Sequence, residues 1–339
     1  MSVWRQDIVL NLRALAGVEG KTPGEPPITS MGATNPPFVE KPQFILDHIV
    51  SDGAQVTRPS IDPYREPTET EILLFDSELR LSMPIILGGL IGCEPSHIPP
   101  LLLACFRMGV GVHLESGQPP SIQREIRRFV FLEDTSAASS TDRYGPLVIR
   151  VDDQKFQSVL EALHARFPES SQLVARLPCY SQPTIYVKIA HAGFKALIID
   201  EDLGGDVPLE LALSLADRAL KADKIGDYPT RYMVGLIASG SRIRGSADIF
   251  KLGGLGADAC IIKDAWRIAV DYRQDLAGRL LSERLENLLI GMQREIKLLM
   301  GAAGVSSYQS TIVGSRELFR ALDLPHDILY KLGVKPAGE

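Results

Sequence analysis

The chain reads as an α/β protein, a (β/α)8 TIM barrel with an N-terminal Pro-rich extension and a C-terminal helical tail. Two observations predict this. Eight short apolar or β-branched runs recur between residues 81 and 263, each continuous rather than alternating, as strands of a parallel sheet buried on both faces must be. Segments of helical period separate many of them, and strand–helix alternation carried to eight strands is the count that closes a barrel.

The runs are LSMPIILGG (81–89), VGVHLE (110–115), RFVFLE (128–133), PLVIRV (146–151), QLVARL (172–177), KALIID (195–200), YMVGLIA (232–238) and DACIIK (258–263). Helical spacing marks HIPPLLLACFRMG (97–109), DQKFQSVLEALHARF (153–167) and VPLELALSLADRALKAD (207–223), ahead of the second, fifth and seventh strands. The interval 133–145 is polar and poor in helix signals. Residues 1–78 form the extension: 21–42 is rich in Pro and Gly and predicts an extended surface wrap, and Pro59, Pro63 and Pro67 continue that style. The barrel then occupies 79–270 and the tail 271–339. Within the tail, 276–304 is amphipathic with Gly304 as its stop, and 316–333 predicts a short helical pair.

Composition bounds the function classes. The chain has 339 residues, 45% hydrophobic and 23% charged, with a net charge of −6. Such a chain buries a large core without disulfides or metals, and its mild acidity argues against nucleic-acid binding. No stretch reaches the ~18 apolar residues of a membrane span. Arg5, Asp7 and Arg13 interrupt the N-terminal apolar stretch, so no signal peptide is predicted and a cytoplasmic location is expected. Cys93, Cys105, Cys179 and Cys260 are scattered without a C-x-x-C pair, a spacing that suits neither a zinc knuckle nor an iron–sulfur run.

In such a barrel the chemistry sits just after each strand. The strongest signal is ASGSRIRGSADIFKLGGLGADACIIKDAW (238–266), strand, Gly-containing loop, helix and strand. Ser239, Gly240 and Gly245 frame a loop whose backbone N–H groups suit a phosphate, and Arg242 and Arg244 add charge-assisted donors. A plain turn with solvated arginines is the alternative. Gly88 and Gly89 end the first strand, where a flat ring lies against backbone or the chain simply turns. Arg176 and Arg150 interrupt apolar runs and suit an anionic ligand if they face inward. Asp200, Glu201 and Asp202 follow the sixth strand as an acid/base or metal cluster, or as a solvated acidic loop. His113 and Glu115 share one side of the second strand.

These segments resemble the FMN-binding barrel of the glutamate synthase family, its archaeal-type and ferredoxin-dependent forms in particular. RPSIDPYREPTETEI (58–72) resembles the segment leading into that barrel, and LRLSMPIILGGLIG (79–92) its first strand. Residues 238–259 resemble its phosphate-binding unit, and LENLLIGMQREIKLLMGAAGVSS (285–307) the helix after the barrel. The resemblance spans Thr57 to Gly333. It implies FMN held at Gly88, Gly89, Arg176, Ser239, Gly240, Arg242, Arg244, Gly245 and Lys263, with Arg176 in place of the family's flavin-contacting lysine.

The chain departs from the family elsewhere. Leu90-Ile91 stand where the family has a serine after the first strand. Leu114 to Gln118 replace its N-T-G-E-G-G, and Asp152 to Gln154 its G-Q-G-A-K-P-G. Lys263-Asp264-Ala265 replace the G-T-A at the phosphate, where Asp264 is repulsive unless paired. Ala269 to Leu289 holds none of the family's cluster cysteines, so no iron–sulfur cluster is expected, and no metal site is predicted. Two functions follow: an FMN-dependent oxidoreductase of altered substrate, or a catalytically degenerate barrel serving as a structural or regulatory subunit. Either implies a small-molecule or electron-donor protein partner and a homo- or hetero-oligomer, with no nucleic acid or membrane. A third is a barrel for another phosphorylated ligand, with Asp200–Asp202 on a divalent metal.

Overall fold

A computed structural model describes residues 3–18, 45–75, 77–115, 124–133, 145–151 and 172–337. Strands β1 (Ile85–Leu87), β2 (Gly111–Leu114), β3 (Val130–Glu133), β4 (Leu147–Arg150), β5 (Leu173–Leu177), β6 (Ala196–Asp200), β7 (Gly235–Gly240) and β8 (Ala259–Ile262) pair in sequence order. β8 returns to β1 in parallel, with Cys260 opposite Ile85 and Ile262 opposite Leu87, and the barrel is closed. Every predicted run contains one of these strands except the seventh, whose strand continues two residues past it to Gly240. Their residues are buried along nearly their whole length, which is why the runs lack the alternation of a half-exposed sheet. Segment 21–42, the interval 134–144 and the predicted helix 153–167 lie outside the described residues.

Helices α1 (Gln6–Leu15), α2 (Ile98–Arg107), α3 (Thr184–His191), α4 (Leu209–Ala222), α5 (Ser246–Leu255), α6 (Asp264–Ala269), α7 (Gly278–Ala303) and α8 (His326–Leu332) surround it. α2 opens with Pro99 and Pro100, which the first turn tolerates because its N–H groups have no intrahelical acceptor. α7 ends at Gly304 in the left-handed conformation, φ 71°, as the sequence predicts. Among the described residues no helix is long and apolar enough to cross a membrane.

The extension is fastened to the barrel by packing and by buried charge. Leu15 of α1 lies so close over Gly291 of α7 that a β-carbon there would meet its Cδ2 at 2.7 Å. Arg244, in the β7–α5 loop, pairs with Asp47 at 2.8 Å and with Asp248 at 2.8 Å, all three buried. Lys251 donates to the carbonyl of Leu46 at 2.8 Å; burial pulls its pKa down to about 8. Residues 45–51 are thereby pinned onto α5.

One expectation is corrected. Of the helical pair predicted over 316–333, α8 forms, and the first member is cut to a single 3-10 turn, Arg316–Leu318. Phe319–Ala321 is a strand, antiparallel to Ile49–Ser51 and parallel to Lys335–Pro336. The cause is tertiary. An extended backbone buries Phe319 and Ala321 on one side, and Phe319 then fills the space that Gly254 leaves on α5, with its ring 5.4 Å from that of Phe250. A β-carbon on Gly254 would meet the Phe319 ring at 2.0 Å. Gly254→Ala is therefore expected to lower stability by about 1–3 kcal/mol through overpacking, read as a lower urea midpoint.

Candidate active site at the barrel mouth

Side chains at the C-terminal ends of the strands converge on Arg176. It lies on β5, where it breaks an apolar run because it points into the barrel. Its Nε donates to Asp200 Oδ2 at 2.7 Å, Nη1 to Glu133 Oε2 at 2.5 Å and Nη2 to Glu115 Oε1 at 2.9 Å. Lys263, just past β8, completes the group. Its Nζ donates to both oxygens of Asp200 at 3.0 and 2.9 Å and to Asp202 Oδ2 at 2.8 Å, and lies 3.5 Å from Glu115. The Arg176, Glu133, Glu115, Asp200 and Lys263 side chains are each at most 8% exposed.

Burial alone would discharge these groups; their partners prevent it. Burial pulls Arg176 down, but Asp200, Glu133 and Glu115 outweigh it and hold the guanidinium above its ordinary value. Burial likewise works against Lys263, and Asp200 and Asp202 reverse it. Asp200 is pushed up by burial yet ends below the usual carboxylate range because Lys263 and Arg176 both face it. Glu133 is the exception: burial, aided by Glu115, exceeds the pull of Arg176 and raises it.

The loop after β7 has the donors of an anion cradle, and side chains of the chain itself fill it. The backbone N–H of Ser241 donates to Asp202 Oδ2 at 3.1 Å, and its hydroxyl to the same oxygen at 2.9 Å. The N–H of Arg242 donates to Glu201 Oε1 at 3.0 Å, while its guanidinium takes Glu201 Oε2 through Nε at 2.8 Å and Nη2 at 2.5 Å. A β-carbon on Gly240 would meet Glu201 Oε1 at 2.2 Å. The glycine is thus needed for the approach of that carboxylate. A phosphate group does not fit the cradle as it stands, because two carboxylates hold its amides and its arginine.

The other residues singled out by the sequence divide between this mouth and the scaffold. Gly88 and Gly89 border the network: β-carbons there would meet Ile261 Cγ2 at 2.4 Å and Lys263 Cβ at 2.9 Å. Their carbonyls accept from Trp266 Nε1 at 2.8 Å and Arg267 Nε at 2.9 Å, so the glycines admit β8 and α6 closely. Arg244 and Gly245 are not brought to the cradle: Arg244 is in the clamp on Asp47, and Gly245 faces Leu12. Arg150 is exposed. Asp200 and Asp202, considered above for a metal, hold Lys263. Asp264 opens α6, and burial and Asp202 raise its pKa; Lys263 is committed elsewhere.

His113 and Ser239 are fully buried, and neither the imidazole nitrogens nor the hydroxyl has a hydrogen-bond partner. His113 Nε2 lies 3.6 Å from Glu133. Burial, with Arg176 and Lys263 nearby, drives its pKa down to about 3, so the ring is neutral. Glu133 is the residue that reading the sequence missed. It ends RFVFLE two places after the inward Phe131, and that spacing was the available signal. Ser116 to Gln118 and Asp152 to Gln154, where the family carries two of its motifs, lie outside the described residues.

A closed eight-stranded parallel barrel with its polar residues gathered at the C-terminal mouth defines a (β/α)8 TIM barrel. Crystal structures of mandelate oxidase are similar in fold: one complex has a TM-score of 0.57 at 15% identity, covering 91% of this chain and 97% of that one. No protein-family model matches. The archaeal glutamate synthase (NADPH) of Methanocaldococcus jannaschii is 31% identical, covering 87% of this chain and 79% of the relative. The archaeal-type glutamate synthase (NADPH) of Thermotoga maritima is 24% identical over 92% of this chain. The chain belongs to the archaeal-type glutamate synthase family.

Proposed function

We propose that this chain is a glutamate-synthase-family barrel whose mouth is closed by its own ion network, and that it serves as a structural or regulatory subunit of a larger assembly. The observation that carries this reading is the commitment of Arg176 and Lys263, two cations suited to an anionic cofactor, to Glu115, Glu133, Asp200 and Asp202. A buried pair opened by a ligand leaves its partners uncompensated, at a cost of about 3–5 kcal/mol.

A second reading is an FMN-dependent oxidoreductase of altered substrate, reduced by NADPH or by an electron-donor protein. Family membership favours it, as do the unpartnered nitrogens of His113 and hydroxyl of Ser239, which leave polar valences free inside the barrel. FMN would supply hydride transfer, and this chain's residues would bind and orient it.

One experiment separates the two. The natively purified protein is expected to be colourless, to take up no added FMN, and to appear with a second chain in native mass spectrometry of its own cell extract. A yellow preparation with flavin bound in proportion to chain would overturn the subunit reading and establish the flavin enzyme.

A further inference from the structure

We infer that Glu201 and Asp202 are internal ligands occupying a latent oxyanion site, and that the site takes a phosphate-class dianion once they are removed. The inference rests on the closed-mouth reading and deepens it by naming what occupies the cradle. The donors are those an oxyanion recruits: consecutive backbone N–H groups at Ser241 and Arg242, the Ser241 hydroxyl, the Arg242 guanidinium and the Lys263 ammonium. Every one of them meets a carboxylate oxygen of Glu201 or Asp202. Glu201 holds Arg242 with the two-pronged geometry that a phosphate would use.

The turn bearing these carboxylates is fixed by the fold. Asp200, itself locked between Arg176 and Lys263, caps it by accepting from the N–H of Asp202 at 3.0 Å. At its far end Gly204 and Gly205 adopt φ 83° and 134°. A β-carbon on Gly205 would meet the Cys179 carbonyl oxygen at 2.1 Å. The N–H of Cys179 donates to Gly204 O at 2.9 Å, and that of Asp206 to Cys179 O at 3.0 Å. Held this way, the carboxylates compete with a free anion as intramolecular ligands, at the high effective concentration that tethering provides. Their charge repels a dianion as well.

Isothermal titration of full-length wild type and of Glu201→Ala/Asp202→Ala with inorganic phosphate, and separately with FMN, tests this. Wild type is expected to give no saturable binding. The double variant is expected to bind phosphate at least about tenfold more tightly, a gain of about 1.4 kcal/mol or more. FMN binding that phosphate competes away identifies the phosphoryl end of a cofactor as the guest, whereas phosphate binding alone identifies the free ion; either supports the inference. Equal affinity in wild type and variant overturns it, as does a folded double variant that binds neither. Glu201→Ala alone, which leaves Asp202 on Lys263, provides a milder variant if the double one fails to fold; a phosphate-dependent rise in its melting temperature supports the inference and no rise overturns it. A flavin-loaded wild type would instead sink the closed-mouth reading, and a colourless wild type with an unresponsive variant sinks this inference alone.

Discussion

Arg176→Ala is expected to cost about 3–5 kcal/mol of folding stability, the scale for removing one partner from a buried ionic cluster. The guanidinium is the hub through which Glu115, Glu133 and Asp200 are neutralised together. Without it Lys263 still faces Asp200 and Glu115, but Glu133 loses its nearest cation. The loss depends on pH with a definite sign. Burial already raises Glu133 above its ordinary value, and deleting Arg176 raises it further. A carboxyl raised in the folded state is stabilising while protonated, so the deficit is smallest in acid and grows as pH rises through its folded pKa. Arg176→Lys keeps the charge but not the fork, and falls between wild type and alanine. Glu133→Gln in the alanine background recovers part of the loss. Urea unfolding at about pH 5 and about pH 8 checks both claims; a deficit that does not change with pH would show that Glu133 is not the residue left exposed to the missing charge.

Much of this architecture was legible because strands buried on both faces must be written as continuous apolar runs, and the eight runs map onto the eight strands. Arg176 stood out for the same reason: a charge inside such a run is either outward or functional, and here it is inward. What the sequence could not give is partnership. Arg242, Arg244 and Lys263 look alike as candidates for a phosphate, yet the fold sends Arg244 to Asp47, some two hundred positions earlier in the chain, and Lys263 to Asp200. Glu201 and Asp202 read as a solvated acidic turn until the register of β6 against β7, with Ser239 opposite Asp200, sets that turn beside the Gly240 loop. Phe319 reads as helical because local spacing carries no knowledge of the gap at Gly254. The errors and omissions are all long-range pairings, which local pattern does not encode.

Glu210→Gln is expected to stabilise the protein by up to about 3 kcal/mol at about pH 8, and by almost nothing in acid. Glu210 lies in the first turn of α4 and is 3% exposed. A helix N-terminus ordinarily favours a negative charge. Here burial dominates, Glu201 adds like charge, and the pKa is pushed up to about 7 in spite of backbone hydrogen bonding and Arg242. Between the ordinary glutamate range and that value the folded state binds more protons than the unfolded one. Stability is therefore full below the unfolded pKa, falls as pH rises through the folded pKa, and levels off above it. Glutamine keeps the shape and removes the titration, so the difference between variant and wild type should open across that window and stay constant beyond it. Urea midpoints taken across it isolate the effect, because every other acid is common to both proteins; parallel curves would show that folding leaves the Glu210 pKa unshifted. Because Glu201 is one of the charges holding Glu210 up, Glu201→Ala should narrow the same window from above, tying the stability of α4 to the carboxylate that fills the cradle.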